Sequence, residues 1–277
     1  MSDLVPAKPP LVMGILNVTP DSFSDGGHFE TLQKAIDHGL ALIAQGADVL
    51  DIGGESTRPG SDPVSAEEET ARVVPVIEAL SARWDGVISI DTMKPQVARA
   101  AMQAGARMWN DVTALTHSTD SEATAVDLVR EYGCDLVLMH MKGQPKTMQD
   151  DPDYEDVVAE VVEHLRQRVE ATVVAGVSRD KIWLDPGIGF AKTTQHNLTL
   201  TRHLDRLVDL GLPVLYAASR KRLIQGVDET AIEARDRLGG SLALAMEGAR
   251  RGAAMVRVHD VRETVQALKL QWAVAGA

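Results

Sequence analysis

Asp135-Leu136-Val137-Leu138-Met139-His140 is the stretch that decides the fold. Its apolar run is too short for a helix and suits a strand buried on both faces. Reading outward, seven more runs of this kind appear, at Leu11–Val18, Asp48–Ile52, Val87–Ile90, Arg107–Trp109, Ile182–Leu184, Pro213–Ala217 and Ala254–Val258. Between them, helical patterns cover residues 31–46, 65–82, 95–104, 121–131, 154–175, 195–209, 236–251 and 261–274, and 220–234 reads as a loop with a short helix. Ser65 followed by Glu68 reads as a capping box, and Pro95 as a first-turn proline. Eight βα units with no linker between them predict an α/β fold, a single (β/α)8 TIM barrel. The rival, an open doubly wound sheet, lacks its GxGxxG after the first strand. Residues 1–10, with three prolines, read as a flexible N-terminal arm, and residues 11–277 as the barrel.

The chain has 277 residues, 44% of them hydrophobic, and a formal net charge of −12. That charge argues against nucleic acid or an anionic membrane as a partner. No run approaches the roughly 18 apolar residues of a membrane span. No signal-peptide pattern precedes Leu11, so a cytoplasmic location is expected. The single cysteine, Cys134, opens an apolar run and reads as a small buried hydrophobe.

Barrels of this kind carry their chemistry where strands end, and there this chain is polar. The first strand ends in Asn17 and a turn-rich loop holding Phe23 and Asp25. The second ends in Asp51 and a loop with paired glycines, Thr57, Arg58 and Pro59. Asp91, Asn110 and Asp185 end the third, fourth and sixth. Carboxylates and an amide at one mouth suit a flat heterocycle rich in N–H groups, or alternatively a Mg2+ ion. Asp51 and Asp111 fit equally well as caps of the following helices. Ser219-Arg220-Lys221-Arg222, with Arg257 and His259, would make a positive pocket, and the last two loops of such barrels often bind phosphate. Arg257 and His259 share one side of their strand by alternation. No GxSxG, HExxH, CxxC or P-loop is present. Positioning and electrostatic stabilisation are therefore expected to carry the chemistry.

Taken in order, these segments resemble the dihydropteroate synthase family of pterin-binding barrels. The resemblance runs through residues 13–27, 51–60, 89–92, 110–112, 139–143, 185–192, 219–221 and 257–261. It covers the chain from about residue 11 to its end. One departure is Ala217, where the family commonly has glycine. Its methyl group is expected to tighten the pocket without abolishing activity.

The resemblance implies condensation of 6-hydroxymethyl-7,8-dihydropterin pyrophosphate with p-aminobenzoate, giving 7,8-dihydropteroate and pyrophosphate. Asp91, Asn110 and Asp185 would bond the pterin edge, Lys221 its ring acceptors, and Met139 and Phe190 would be its walls. Asn17 would hold Mg2+ with the pyrophosphate, and Thr57, Arg257 and His259 the pyrophosphate oxygens. Phe23, Arg58, Pro59, Ser219 and Lys221 would form the p-aminobenzoate pocket, where a sulfonamide would compete. Asp25 is the candidate anion beside a pterin methylene cation. The catalytic set is thus expected to be Asp25, Lys221, Arg257 and His259. A homodimer through helices away from the mouth is implied, and the apolar C-terminal helix suits either an interface or packing on the barrel. The alternatives are a pterin-dependent methyltransferase, which would not need the Thr57-Arg58-Pro59 and Ser219-Arg220-Lys221 segments, or a non-catalytic pterin-binding homologue. The latter predicts loss of Asn17, Lys221 or His259, and all three are present.

Overall fold

The structure is a computed structural model that describes residues 8–19, 28–56, 63–117, 119–143 and 152–276, for the backbone alone at 28–30 and 119–123. Eight parallel strands form one sheet: β1 (Leu11–Asn17), β2 (Val49–Gly53), β3 (Val87–Asp91), β4 (Met108–Asp111), β5 (Asp135–Met139), β6 (Ile182–Asp185), β7 (Leu215–Tyr216) and β8 (Met255–Val258). Neighbours run β6-β5-β4-β3-β2-β1-β8-β7. The remaining seam, between β6 and β7, is held by a parallel bridge from Leu184 to Val214 and by Leu184 N donating to Pro213 O at 2.9 Å. The sheet is therefore a nearly closed (β/α)8 barrel. β7 is shorter than the apolar run predicts. Pro213 has no N–H to give a ladder, though its carbonyl still accepts from β6.

The helices between the strands are α1 (His28–Ala44), α2 (Ala66–Ser81), α3 (Pro95–Ala104), α4 (Thr119–Tyr132), α5 (Val157–Val174), α6 (Thr194–Arg202), α7 (Asp205–Val208), α8 (Arg222–Gln225), α9 (Leu238–Arg250) and α10 (Val261–Ala275). Local chemistry sets their ends. Ser65 Oγ accepts from Glu68 N at 3.1 Å, while the Glu68 carboxylate turns to Arg72, so the predicted capping box is half formed. Asp156 caps α5 through Val158 N and Ala159 N, both 3.0 Å. The helix expected over 195–209 splits at His203, whose N–H is shared between Thr199 O and Leu200 O as at a helix end.

Strand alternation divides the interior from the helix layer. Val12, Leu50, Ile88, Trp109, Leu138, Leu184, Tyr216 and Val256 belong to the large cluster beneath the helices. Gly14 lies on that outer side, where an added Cβ would come within 3.1 Å of Val261 on α10. The opposite side of the strands carries a second cluster of Met13, Val49, Met108, Val137, Leu215 and Met255, with Val87 and Trp183 packed on it. This is the apolar floor of the barrel. Cys134 is buried at the base of β5, and burial pushes its thiol up to about 11, as suits an inert packing residue.

Candidate active site

Two residues beyond the floor, the same strands present Ile15, Asp51, Ser89, Asn110, Met139, Asp185, Ala217 and Arg257. A further step brings Asn17, Gly53, Asp91, Ser219 and His259. The parallel registers pair Asp51 with Ser89 and Asp91 with Asn110, so these groups converge at the carboxyl end of the barrel.

Their centre is a shared carboxylate. Asp51 is wholly buried, and its Oδ2 accepts from Asn110 Nδ2 at 2.9 Å and from Arg257 Nε at 2.5 Å. Arg257 also donates through Nη2 to Asp91 Oδ2 at 2.7 Å. The arginine thus bridges two carboxylates, and Asn110 has its amide oriented by one of them. Of the two readings open to Asp51 in sequence, site carboxylate or helix cap, these contacts fit the first, and it caps no helix among the described residues. Its odd position on β2, in step with Val49 below and Gly53 above, is the signal that places it inside the barrel. Asp111, on the outer side of β4, does cap, but a turn rather than a helix: it accepts from Thr113 N at 2.8 Å and Leu115 N at 2.7 Å.

Asp51 Oδ1, Asp91 Oδ1 and Ser89 Oγ are buried with no hydrogen-bond partner among the described residues. Buried polar atoms are normally bonded, so two carboxylate acceptors and a hydroxyl at this end of the barrel have hydrogen-bonding capacity to spare. Burial pushes the Asp91 carboxyl up to about 7, against the pull of Arg257 and with repulsion from Asp51.

On the other side of the mouth, Met139 ends β5 beside Asp185 in register. Asp185 Oδ1 accepts from Gly187 N at 2.7 Å, and burial raises its pKa against the attraction of Lys221. Lys221 donates to Ile188 O and lies 4.8 Å over the Phe190 ring. Burial lowers its ammonium to about 8, with Asp185 opposing the shift. Ser219 Oγ lies 3.1 Å from His259 Nδ1 and accepts from His259 N at 3.2 Å, tying the ends of β7 and β8 together.

The expected pocket of four basic residues is smaller in the structure. Arg220 pairs with Asp260 through Nε at 2.9 Å, and Arg222 is exposed at the start of α8. Lys221 and Arg257 are the cations of the cluster. Asn17 ends β1 opposite Gly53, half-buried. Among the described residues no group of three or more His, Cys, Asp or Glu is placed to hold a metal. Phe23, Asp25, Thr57, Arg58 and Pro59 lie outside the described residues.

The sequence profile of the pterin binding enzymes matches residues 13–259. The dihydropteroate synthase of Escherichia coli K12 is 45% identical over 268 residues, 97% of this chain and 93% of its own length. The chain belongs to the dihydropteroate synthase family. A solved dihydropteroate synthase of Xanthomonas albilineans with 4-aminobenzoic acid superposes with a TM-score of 0.89 at 49% identity, over 97% of this chain and 94% of the other. Another, from the same organism in complex with 7,8-dihydropteroate, gives 0.87 at 45% identity over 100% and 97%.

Of the residues that the dihydropteroate synthase resemblance singles out, Asp91, Asn110, Met139, Asp185, Phe190, Ser219, Lys221, Arg257 and His259 gather at one end of the barrel. Asp51 and Lys192 lie within the stretches that carry the resemblance but were given no site role by it. Lys192 follows Phe190 by two residues and is buried beneath the same turn. In sequence it has the look of an ordinary loop cation, and only its tertiary contacts set it apart.

Proposed function

We propose that this chain, a transferase of the dihydropteroate synthase family, joins 6-hydroxymethyl-7,8-dihydropterin pyrophosphate to p-aminobenzoate. The observation that carries the reading is Asp91 at the barrel mouth. One of its oxygens is held by Arg257 and the other is buried without a partner among the described residues. A pterin presents adjacent ring N–H and exocyclic NH2 donors on one edge, and Asp91, Asn110 and Asp185 are acceptors for them. Lys221 moves from Ile188 O to a ring acceptor when the pterin fills the slot between Met139 and Phe190.

Arg257 uses two of its five N–H groups on Asp51 and Asp91. The others, with His259, meet the pyrophosphate and offset its charge as the C–O bond to the pterin methylene breaks. The electron pair leaves with pyrophosphate. The neutral aryl amine then forms the C–N bond and loses a proton to water, so no strong base is needed. Ser219 and Lys221 line the p-aminobenzoate side, with Phe23, Arg58 and Pro59 assigned there by resemblance. Asp25 and Thr57 are likewise assigned by resemblance, to the cation and the pyrophosphate.

The donor set suits Mg2+. Asn17 offers a single hard amide oxygen, and Mg2+ commonly keeps several waters and substrate phosphates around few protein ligands. When bound, the ion supplies charge neutralisation of the pyrophosphate. We place the enzyme in the cytoplasm and read it as a homodimer, the latter supported by Leu270 and Val274, which stand exposed on α10.

The test is pyrophosphate release from the pterin substrate with Mg2+, with and without p-aminobenzoate. Release matched one-to-one by dihydropteroate is expected. Pterin binding without turnover would favour the non-catalytic homologue instead.

A further inference from the structure

We propose that Lys192 is a positioning residue for the pterin slot: its buried ammonium ties the end of β5 to the turn after β6 and so fixes the spacing between Met139 and Phe190. The inference rests on the reading that those two side chains wall a pterin.

Lysine is almost never fully buried unless paired. Lys192 is 3% exposed, and among the described residues no carboxylate pairs with it. Its Nζ donates instead to Phe190 O at 2.9 Å, Gly187 O at 3.1 Å and His140 O at 3.3 Å, and lies 3.0 Å from His140 Nδ1. An ammonium has three N–H groups, so all of them are spent on neutral acceptors. Two of those carbonyls belong to the turn that carries Phe190, and one follows Met139 directly.

The turn needs such a tie. Gly187, Gly189 and Ala191 have φ of 68°, 83° and 50°, and for alanine that backbone region is unfavourable. The turn also sits hard against β5, because a Cβ at Gly187 would fall 1.9 Å from His140 O. Without the ammonium, three inward carbonyls would lose a donor in a dry place.

The charge is finely held. The groups facing it are Asp185 from β6, Lys221 from beyond β7, His140 at the end of β5 and His164 from α5. Burial lowers Lys192 to about 7, with Asp185 opposing and Lys221 assisting. Burial first, then Lys192, holds His140 down to about 2, so that imidazole is neutral and its Nδ1 can accept. If the charged form holds the slot, linkage requires that a bound pterin raise the Lys192 pKa in turn.

The test is Lys192→Met, with Lys192→Gln as a second variant that keeps two N–H donors without the charge. The dissociation constant of 6-hydroxymethyl-7,8-dihydropterin and the steady-state constants for both substrates are measured on folded protein. Pterin binding and its KM are expected to weaken about tenfold in Lys192→Met, with the p-aminobenzoate KM within about twofold of wild type. A folded variant that binds pterin as wild type does would overturn the role. So would an equal rise in both KM values, which marks general loosening. Should neither variant fold, the wild-type protein decides by NMR titration of its lysine ε-methylenes. An upward shift of the Lys192 pKa on adding the uncharged pterin supports the inference, and an unmoved titration contradicts it. Wild-type turnover, measured alongside, reports separately on the functional reading.

Discussion

The floor of the barrel and the layer above it are built on the same strands, two residues apart. Met13, Val49, Met108, Val137, Leu215 and Met255 fill the floor with apolar side chains. Above them the interior positions are Ile15, Asp51, Asn110, Met139, Ala217 and Arg257, with Ser89 and Asp185 on the neighbouring strands and Asp91 one step further along β3. One layer is closed core; the other holds carboxylates, an amide and a guanidinium with acceptors left over. A period of two along each strand and fixed register between strands are enough to turn a core into a site within one step.

Substitutions in the two layers should therefore fail differently. The largest effect is expected at Asp91. Asp91→Ala removes a ring acceptor and one partner of Arg257, and should lower kcat/KM for the pterin substrate about a hundred- to a thousandfold with little change in melting temperature. Asp51→Asn keeps the shape but discharges the carboxylate that orients Asn110 and Arg257. It should cost roughly ten- to a hundredfold, seen in the same assay. If Asp51→Asn were silent, Arg257 would be held by Asp91 alone.

The pH profile sharpens the contrast, since the floor has nothing to titrate. Asp91, raised to about 7, must lose its proton to accept from the pterin. Lys221 and Lys192, lowered to about 8 and about 7, must keep theirs. A narrow bell is expected for kcat/KM of the pterin substrate. The acid limb falls about tenfold per pH unit below about 7 as Asp91 protonates; on the alkaline side, loss of the Lys192 charge above about 7 costs about tenfold in all, and loss of the Lys221 charge adds a further fall above about 8. Lys221→Met should remove part of the alkaline limb and leave the acid one.

In the floor, Met13→Ala should cost about 2–5 kcal/mol of stability and lower the melting temperature by roughly 5–15 °C, read by thermal unfolding. Activity of the folded fraction should stay within about twofold. Arg222→Ala, on the surface, should change neither by more than about twofold.

The fold was legible because each strand is a short apolar run followed by helix punctuation, and the site because polar residues stop those runs. What was not legible depended on tertiary placement. Asp51 looks like a cap until alternation along β2 puts it inside, where its partners come from β4 and β8. Lys192 looks like a loop cation, since nothing local announces three carbonyls from two segments. Arg220 appeared to belong to the positive pocket, but its φ of 58° and its pairing with Asp260 direct it elsewhere. Conversely Arg237, unremarked in sequence, is buried and donates to Ala231 O and Arg220 O, holding the segment before α9 in place.

The most direct measurement of the central claim is equilibrium binding of 6-hydroxymethyl-7,8-dihydropterin, the ring without pyrophosphate, to wild type, Asp91→Ala and Met13→Ala. If the polar layer is the pterin site, wild type and folded Met13→Ala bind one ring per chain with similar affinity and Asp91→Ala does not. Undiminished binding to Asp91→Ala would place the pterin elsewhere and contradict the account.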